Sequence, residues 1–115
     1  MKVAALVAEL FFASKVEVAL GQMGCAVSLL AGPDDLPAAQ PDLLILDLAL
    51  AGPAREAAAA FMTAAGRPMI AVGSHVDTAS LQWARTAGCA EVLTRGEVDR
   101  ALATLVAKHL ARLPS

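Results

Sequence analysis

Asp47 closes a run of four aliphatic residues, 43–46, that Asp42 opens. A charge at the end of such a run is costly unless it meets solvent or a partner group. Chemistry that uses a carboxylate there is phosphoryl acceptance or metal ligation; the structural alternative is a cap for the loop that follows. Other groups could join it. Glu9 comes just after the apolar run 3–7, Gly73-Ser74-His75 follows the run 69–72, and Thr94-Arg95 follows Val92-Leu93. Together they offer a second carboxylate, a hydroxyl, an imidazole and a guanidinium.

The remaining reactive residues make no such group. His75 and His109 have no histidine or cysteine at metal-ligand spacing. Cys25 and Cys89 stand far apart in the chain and are expected to be buried, reduced thiols. No Gly-x-Gly-x-x-Gly and no Gly-Lys-Ser/Thr sequence occurs, so no phosphate cradle is expected. Ser74, His75 and Asp47 do not make a nucleophilic triad beyond their proximity. With no complete catalytic set, the chain is not expected to be an enzyme.

These residues can meet only if the elements around them alternate correctly. Residues 3–7, 26–30, 43–46, 69–72 and 92–93 read as short buried strands. Between them, 11–23 carries Phe12, Val16, Ala19, Leu20 and Met23 at helical spacing, with Gly24 as a stop. Residues 31–41 hold three prolines and two aspartates, which leaves room for one helical turn at 36–40. Residues 54–65 form a helix by propensity, after the break at Gly52-Pro53 and before Gly66. Asp77 caps a helix that runs to Ala87 and ends at Gly88. Val98, Leu102, Leu105, Val106, His109 and Leu113 trace one face of a last helix.

Unbroken aliphatic strands joined by helices imply a parallel sheet covered on both faces. Right-handed crossovers then give an α/β, doubly wound, five-stranded parallel sheet in the flavodoxin-like order 2-1-3-4-5, with a short second helix. In such sheets ligands sit beyond the carboxyl ends of the strands, where Asp47, Glu9, Ser74 and Arg95 are expected.

Composition agrees. The 115 residues suit one domain, 1–115. Hydrophobic types reach 57% and alanine alone accounts for 27 residues, which excludes intrinsic disorder. Two cysteines cannot build a disulfide framework. A net charge of −2 with dispersed basic residues leaves no footprint for nucleic acid. The apolar start is interrupted by Glu9 and followed by Lys15 and Glu17, unlike a signal peptide. No run is long enough to span a membrane, and a cytoplasmic protein is expected.

With these elements in order, the chain resembles the receiver domain of bacterial response regulators. Pro41-Asp42-Leu43-Leu44-Ile45-Leu46-Asp47-Leu48 is similar to that family's third strand, Pro68-Met69-Ile70-Ala71-Val72-Gly73-Ser74-His75 to its fourth, and Ala87-Gly88-Cys89-Ala90-Glu91-Val92-Leu93-Thr94-Arg95 to the run that ends in its lysine. The resemblance places Asp47 on the phosphoacceptor position and Arg95 on the lysine. Val7 and Ala8 fall on the acidic pair that holds Mg²⁺. Gly73 falls on the switch hydroxyl, with Ser74 one residue late, and Val92 on the aromatic switch position. Gly96 replaces the usual proline.

Phosphoryl transfer to a carboxylate relies on a divalent ion and on positioned donors, and Mg²⁺ requires oxygen ligands in near-octahedral geometry. Val7 and Ala8 supply none, which leaves Asp47 and the longer-armed Glu9 as metal candidates. Guanidinium does not replace ammonium in reach or geometry; Asp47 and Arg95 could instead form a permanent ion pair. The leading expectation is an atypical receiver that needs no cofactor, is poorly phosphorylated and signals by protein contact. Alternatives are a working phospho-receiver using Glu9 and Ser74, or a flavodoxin-like small-molecule binder, although the hydroxyl- and glycine-rich loop of the latter is replaced by Ala8-Glu9-Leu10-Phe11. In receivers the fourth helix, fifth strand and fifth helix commonly meet a partner or a second copy. Leu81, Trp83, Arg85 and Val92 map there, with Ser80, Ala84 and Ala87 expected to pack on the sheet. Trp83 either docks a partner or packs its flank on a neighbouring helix.

Overall fold

The computed structural model describes residues 1–113. Its strands are β1 (Val3–Leu6), β2 (Val27–Leu30), β3 (Leu43–Asp47), β4 (Met69–Gly73) and β5 (Glu91–Thr94). They form one parallel sheet in the order β2-β1-β3-β4-β5. Helices α1 (Leu10–Gly21), α2 (Leu36–Ala39), α3 (Gly52–Ala65), α4 (Thr78–Thr86) and α5 (Val98–Ala111) connect and cover it. This is the doubly wound α/β architecture that the alternating pattern implies.

The two faces of the sheet divide by the two-residue period of its strands. Val3, Ala5, Leu43, Ile45, Ile70, Val72 and Leu93 pack with Phe12, Val16 and Leu20 of α1 and Val98, Leu102 and Val106 of α5. Ala4, Leu6, Leu44, Leu46, Met69 and Ala71 pack on the other side with Leu36, Ala58, Met62, Leu81 and Ala84. In this alternation Asp47 falls in line with Leu43 and Ile45, toward α1 and α5.

Local chemistry explains where the elements begin and end. The chain leaves α1 at Gly21, before Met23, and turns through Gly24 at a φ of +75° that only glycine adopts without strain. Met23 is therefore exposed instead of completing the buried stripe. Helix α3 starts at Gly52 rather than after Pro53. Proline fits the first turn because the amide it lacks would have no partner there. Gly66, at φ +67°, closes the same helix. A 3-10 turn, Pro33–Asp35, leads into the single turn of α2, whose Leu36 is buried.

Two expectations of burial are corrected. Strand β2 is an edge strand paired only to β1, and Ser28 and Leu29 are exposed on it. Cys25 and Cys89 are half-buried free thiols; burial nonetheless pushes the Cys89 thiol up to about 11, against nucleophilic use.

The opposite edge is tied down by charge. His109 Nε2 lies 2.8 Å and Lys108 Nζ 3.1 Å from Glu91 Oε2, joining α5 to β5. The hydrogen bond from His109 is the largest cause holding the Glu91 carboxyl below its ordinary value of 4.5. A lowered carboxyl stabilises the fold above that value, and the contribution is lost as pH falls below it. Glu91→Gln is expected to lower stability at pH 7 by up to about 1 kcal/mol. Urea melts across the acid range should show a shallower loss of stability below pH 4.5 for the variant than for the parent; identical acid profiles would refute this role.

Candidate functional site

Strand β3 carries Asp47 to the carboxyl edge of the sheet, between the ends of β1 and β4. Its side chain has no solvent exposure, the one buried charged residue among those described. Three donors meet it. The Ala8 amide donates to Oδ2 at 2.9 Å, and the Ala49 amide to Oδ1 at 2.9 Å. Arg95 Nη2 donates to the same Oδ1 at 3.2 Å. Desolvation of the carboxylate is thereby offset by two backbone dipoles and one cation.

Arg95 opens a 3-10 turn, Arg95–Glu97, directly after β5. Glu97 Oε1 accepts from both the amide and the hydroxyl of Thr94, a capping box that fixes the turn. The same bonds hold the Glu97 carboxyl below its ordinary range. From there the guanidinium reaches three groups. It pairs with Asp47, lies 3.5 Å from Glu9 Oε1 through Nη1, and stacks 5.1 Å above the Phe12 ring.

Glu9 is the N-cap of α1. Its Oε1 accepts from the Phe12 amide at 2.9 Å, so the atom that faces Arg95 also ends the helix. The donor set does not fit Mg²⁺. Both Asp47 oxygens are engaged, Val7 and Ala8 bring no ligating side chain, and Glu9 is held by Arg95 and the helix amide. Among the described residues no three metal-capable side chains gather. Arg95 bridges the two carboxylates, Glu9 through Nη1 and Asp47 through Nη2.

The residues after β4 are placed differently. Gly73 is buried, and a Cβ built on it would stand 3.0 Å from Leu48 Cδ1, 3.3 Å from Leu48 Cβ and 3.3 Å from Leu81 Cδ2. The space next to Asp47's loop is filled by hydrocarbon. Ser74 is half-buried and its Oγ accepts from the Val76 amide at 3.4 Å, a local turn contact. His75 is exposed.

Helix α4 corrects one residue and extends another. Leu81 is only 8% exposed and packs into the sheet cluster, so it is no surface residue. It follows Asp77 by four positions, and Asp77 caps the helix through the Ser80 amide, which aims Leu81 at Gly73 and Leu48. Val92 is half-buried against the same cluster, and Arg85 is exposed. Trp83 is half-buried, its flank on that cluster, and stacks with Arg55, whose guanidinium carbon lies 4.8 Å from the ring centroid. Arg55 also donates through Nη1 to the Leu48 carbonyl at 3.2 Å and to Ser80 Oγ at 2.8 Å. Sequence reading missed Arg55. Its contacts lie 25 residues away in Ser80 and across a loop in Leu48, and no local pattern signals them.

Comparison with known proteins returns the fold. No family model matches the chain, and no curated protein sequence does. Solved receiver domains do match. A response regulator receiver protein from Burkholderia phymatum superposes with a TM-score of 0.82 at 20% identity, over 96% of this chain and 94% of that one. The BeF3-activated RstA receiver domain from Klebsiella pneumoniae gives 0.82 at 15% identity, over 97% and 100%. The signal receiver domain of a modulated diguanylate cyclase from Desulfovibrio desulfuricans gives 0.81 at 19%, over 96% and 94%. The chain has the fold of response-regulator receiver domains.

Two substitutions test this site. Arg95→Met leaves Asp47 buried without a cation and is expected to cost about 1–3 kcal/mol in urea unfolding, less than a fully buried pair because Arg95 is 37% exposed. A loss indistinguishable from zero would show that the backbone amides alone satisfy Asp47. Gly73→Ala is expected to cost about 1–2 kcal/mol by overpacking Leu48. In a double-mutant cycle with Leu48→Ala, a coupling of about 1 kcal/mol is expected; strict additivity would refute the contact.

Proposed function

We propose that this chain is an atypical receiver that acts in signal transduction by protein contact and does not depend on phosphorylation of Asp47. One observation carries the reading: each Asp47 oxygen already accepts a backbone amide, and Oδ1 also holds Arg95. For Asp47 to attack a phosphodonor, this buried carboxylate would have to give up its own donors. It would do so without acidic side chains at Val7 and Ala8 to bring a metal that replaces them. Asp47 then serves as an anchor that joins β1, the loop after β3 and the turn after β5.

In this reading the output surface lies on α4 and β5. Arg85 is exposed there, and Trp83 is half-exposed beside Arg55. Both residue types suit a protein partner, since Trp and Arg dominate binding hot spots. Arg55 links this surface to the Asp47 loop through the Leu48 carbonyl, so a partner on α4 feels the state of that loop. No catalytic role is proposed for any of these residues.

The deciding experiment incubates the protein with Mg²⁺ and a small acyl phosphate, then weighs it intact while following Trp83 fluorescence. The expected result is an unmodified mass and an unchanged spectrum. A stoichiometric phosphate adduct that disappears in Asp47→Ala would overturn the proposal.

A further inference from the structure

Three large apolar side chains stand in solvent on α1: Leu10 is 84% exposed, Phe11 86% and Val18 61%. Phe11, Ser14 and Val18 share one stripe of the helix, opposite the stripe of Phe12, Val16 and Leu20 that packs on the sheet. Exposed apolar side chains grouped in this way mark an interaction surface more often than chance. Neither α4 nor β5 carries such a group among the described residues.

The surroundings of Phe11 say what kind of partner fits. A hollow of about 450 Å³ lies between Phe11, Lys15, Val18 and Asp99. A second, of about 410 Å³, lies over Phe12 between Glu9, Lys15 and Arg95. The same patch thus presents an aromatic knob and the recesses that take one. Its charges balance, with Lys15 and Arg95 against Glu9 and Asp99. A balanced rim selects neither a polyanion nor an anionic lipid surface, which both require a basic patch.

A two-fold contact has a stricter requirement: one patch must carry both members of every pair it makes. Lys15 and Asp99 meet it. They lie 3.4 Å apart on the same flank and remain 47% and 70% exposed, so each can exchange its partner for that of a second copy. Ser14, small and central on the stripe, lets two helices approach closely.

We propose that the outward face of α1 is a self-association surface, and that its occupant is α1 of a second copy of this chain. Phe11 of each copy seats beside Val18 of the other, and Lys15 pairs with Asp99 across the two-fold axis. The second hollow has Arg95 on its wall, so the contact borders the ion pair at Asp47. The inference does not rest on whether Asp47 takes phosphate, and the mass measurement above reads that separately.

Sedimentation velocity over a concentration series tests it on the parent chain and on Phe11→Ser, Val18→Ser, Lys15→Glu, Asp99→Lys and Arg85→Glu. The parent is expected to show a monomer–dimer equilibrium. Phe11→Ser should weaken it by at least about tenfold, with unchanged circular dichroism and, at concentrations where the parent is monomeric, an unchanged melting temperature, since Phe11 touches solvent and not the core. Lys15→Glu alone should weaken it, and adding Asp99→Lys should restore it. Arg85→Glu, on α4, should leave it unchanged. A parent chain that stays monomeric at every concentration would overturn the proposal. So would dimers that survive both Phe11→Ser and Val18→Ser, or a dimer lost on Arg85→Glu alone.

Discussion

At the carboxyl edge of the sheet a carboxylate without solvent contact is held by two backbone amides and a guanidinium. A buried charge of this kind is tolerated only when it is paired and hydrogen-bonded. The partners of Asp47 come from three separate places: the end of β1, the loop after β3 and the turn after β5. The strand order that brings β1 beside β3 is what puts the Ala8 amide within reach. The Thr94–Glu97 capping box sets the turn from which Arg95 extends. The rest of the edge follows from satisfying this one group. Glu9 caps α1 and leans on Arg95, and Phe12 lies under the same guanidinium.

The far side of Asp47's strand is organised by apolar contact instead. Gly73 has no side chain, and Leu48 and Leu81 occupy the room a side chain would take. Arg55 then spans from the Leu48 carbonyl to Ser80 and Trp83. The segment after Asp47 and the helix α4 are therefore joined by packing and by one arginine, which holds the Leu48 carbonyl and the Ser80 hydroxyl together. Close packing of this kind transmits a displacement of one segment to the other.

Much of this was legible in the order of residues. Aliphatic runs of four or five, separated by helical spacing and glycine stops, lead to the parallel sheet and its 2-1-3-4-5 order without any knowledge of contacts. The same pattern places Asp47, Ser74 and Arg95 at one edge. Where local reading failed, the competing influence was tertiary. Leu81 looked like a surface residue on a helix whose small residues faced the sheet, yet Gly73 leaves a recess that draws it inward. Residues 26–30 looked like a buried strand, but as the edge strand of that same order β2 has a neighbour on one side only, which leaves Ser28 and Leu29 exposed.

What the sequence determined by itself is the alternation of elements and the chemical types available at the edge, because periodicity and propensity act over a few neighbouring residues. It also determined what is missing, since Val7, Ala8 and Gly73 cannot offer a carboxylate or a hydroxyl in any conformation. Only the tertiary structure decided how the groups that remain are used. Asp47 and Arg95 are 48 residues apart, and whether they meet depends on strand order and on the turn after β5. The exposure of Phe11 was settled at the same level: a helix shows which side chains lie on one stripe, but only the sheet beneath it decides which stripe is left facing water.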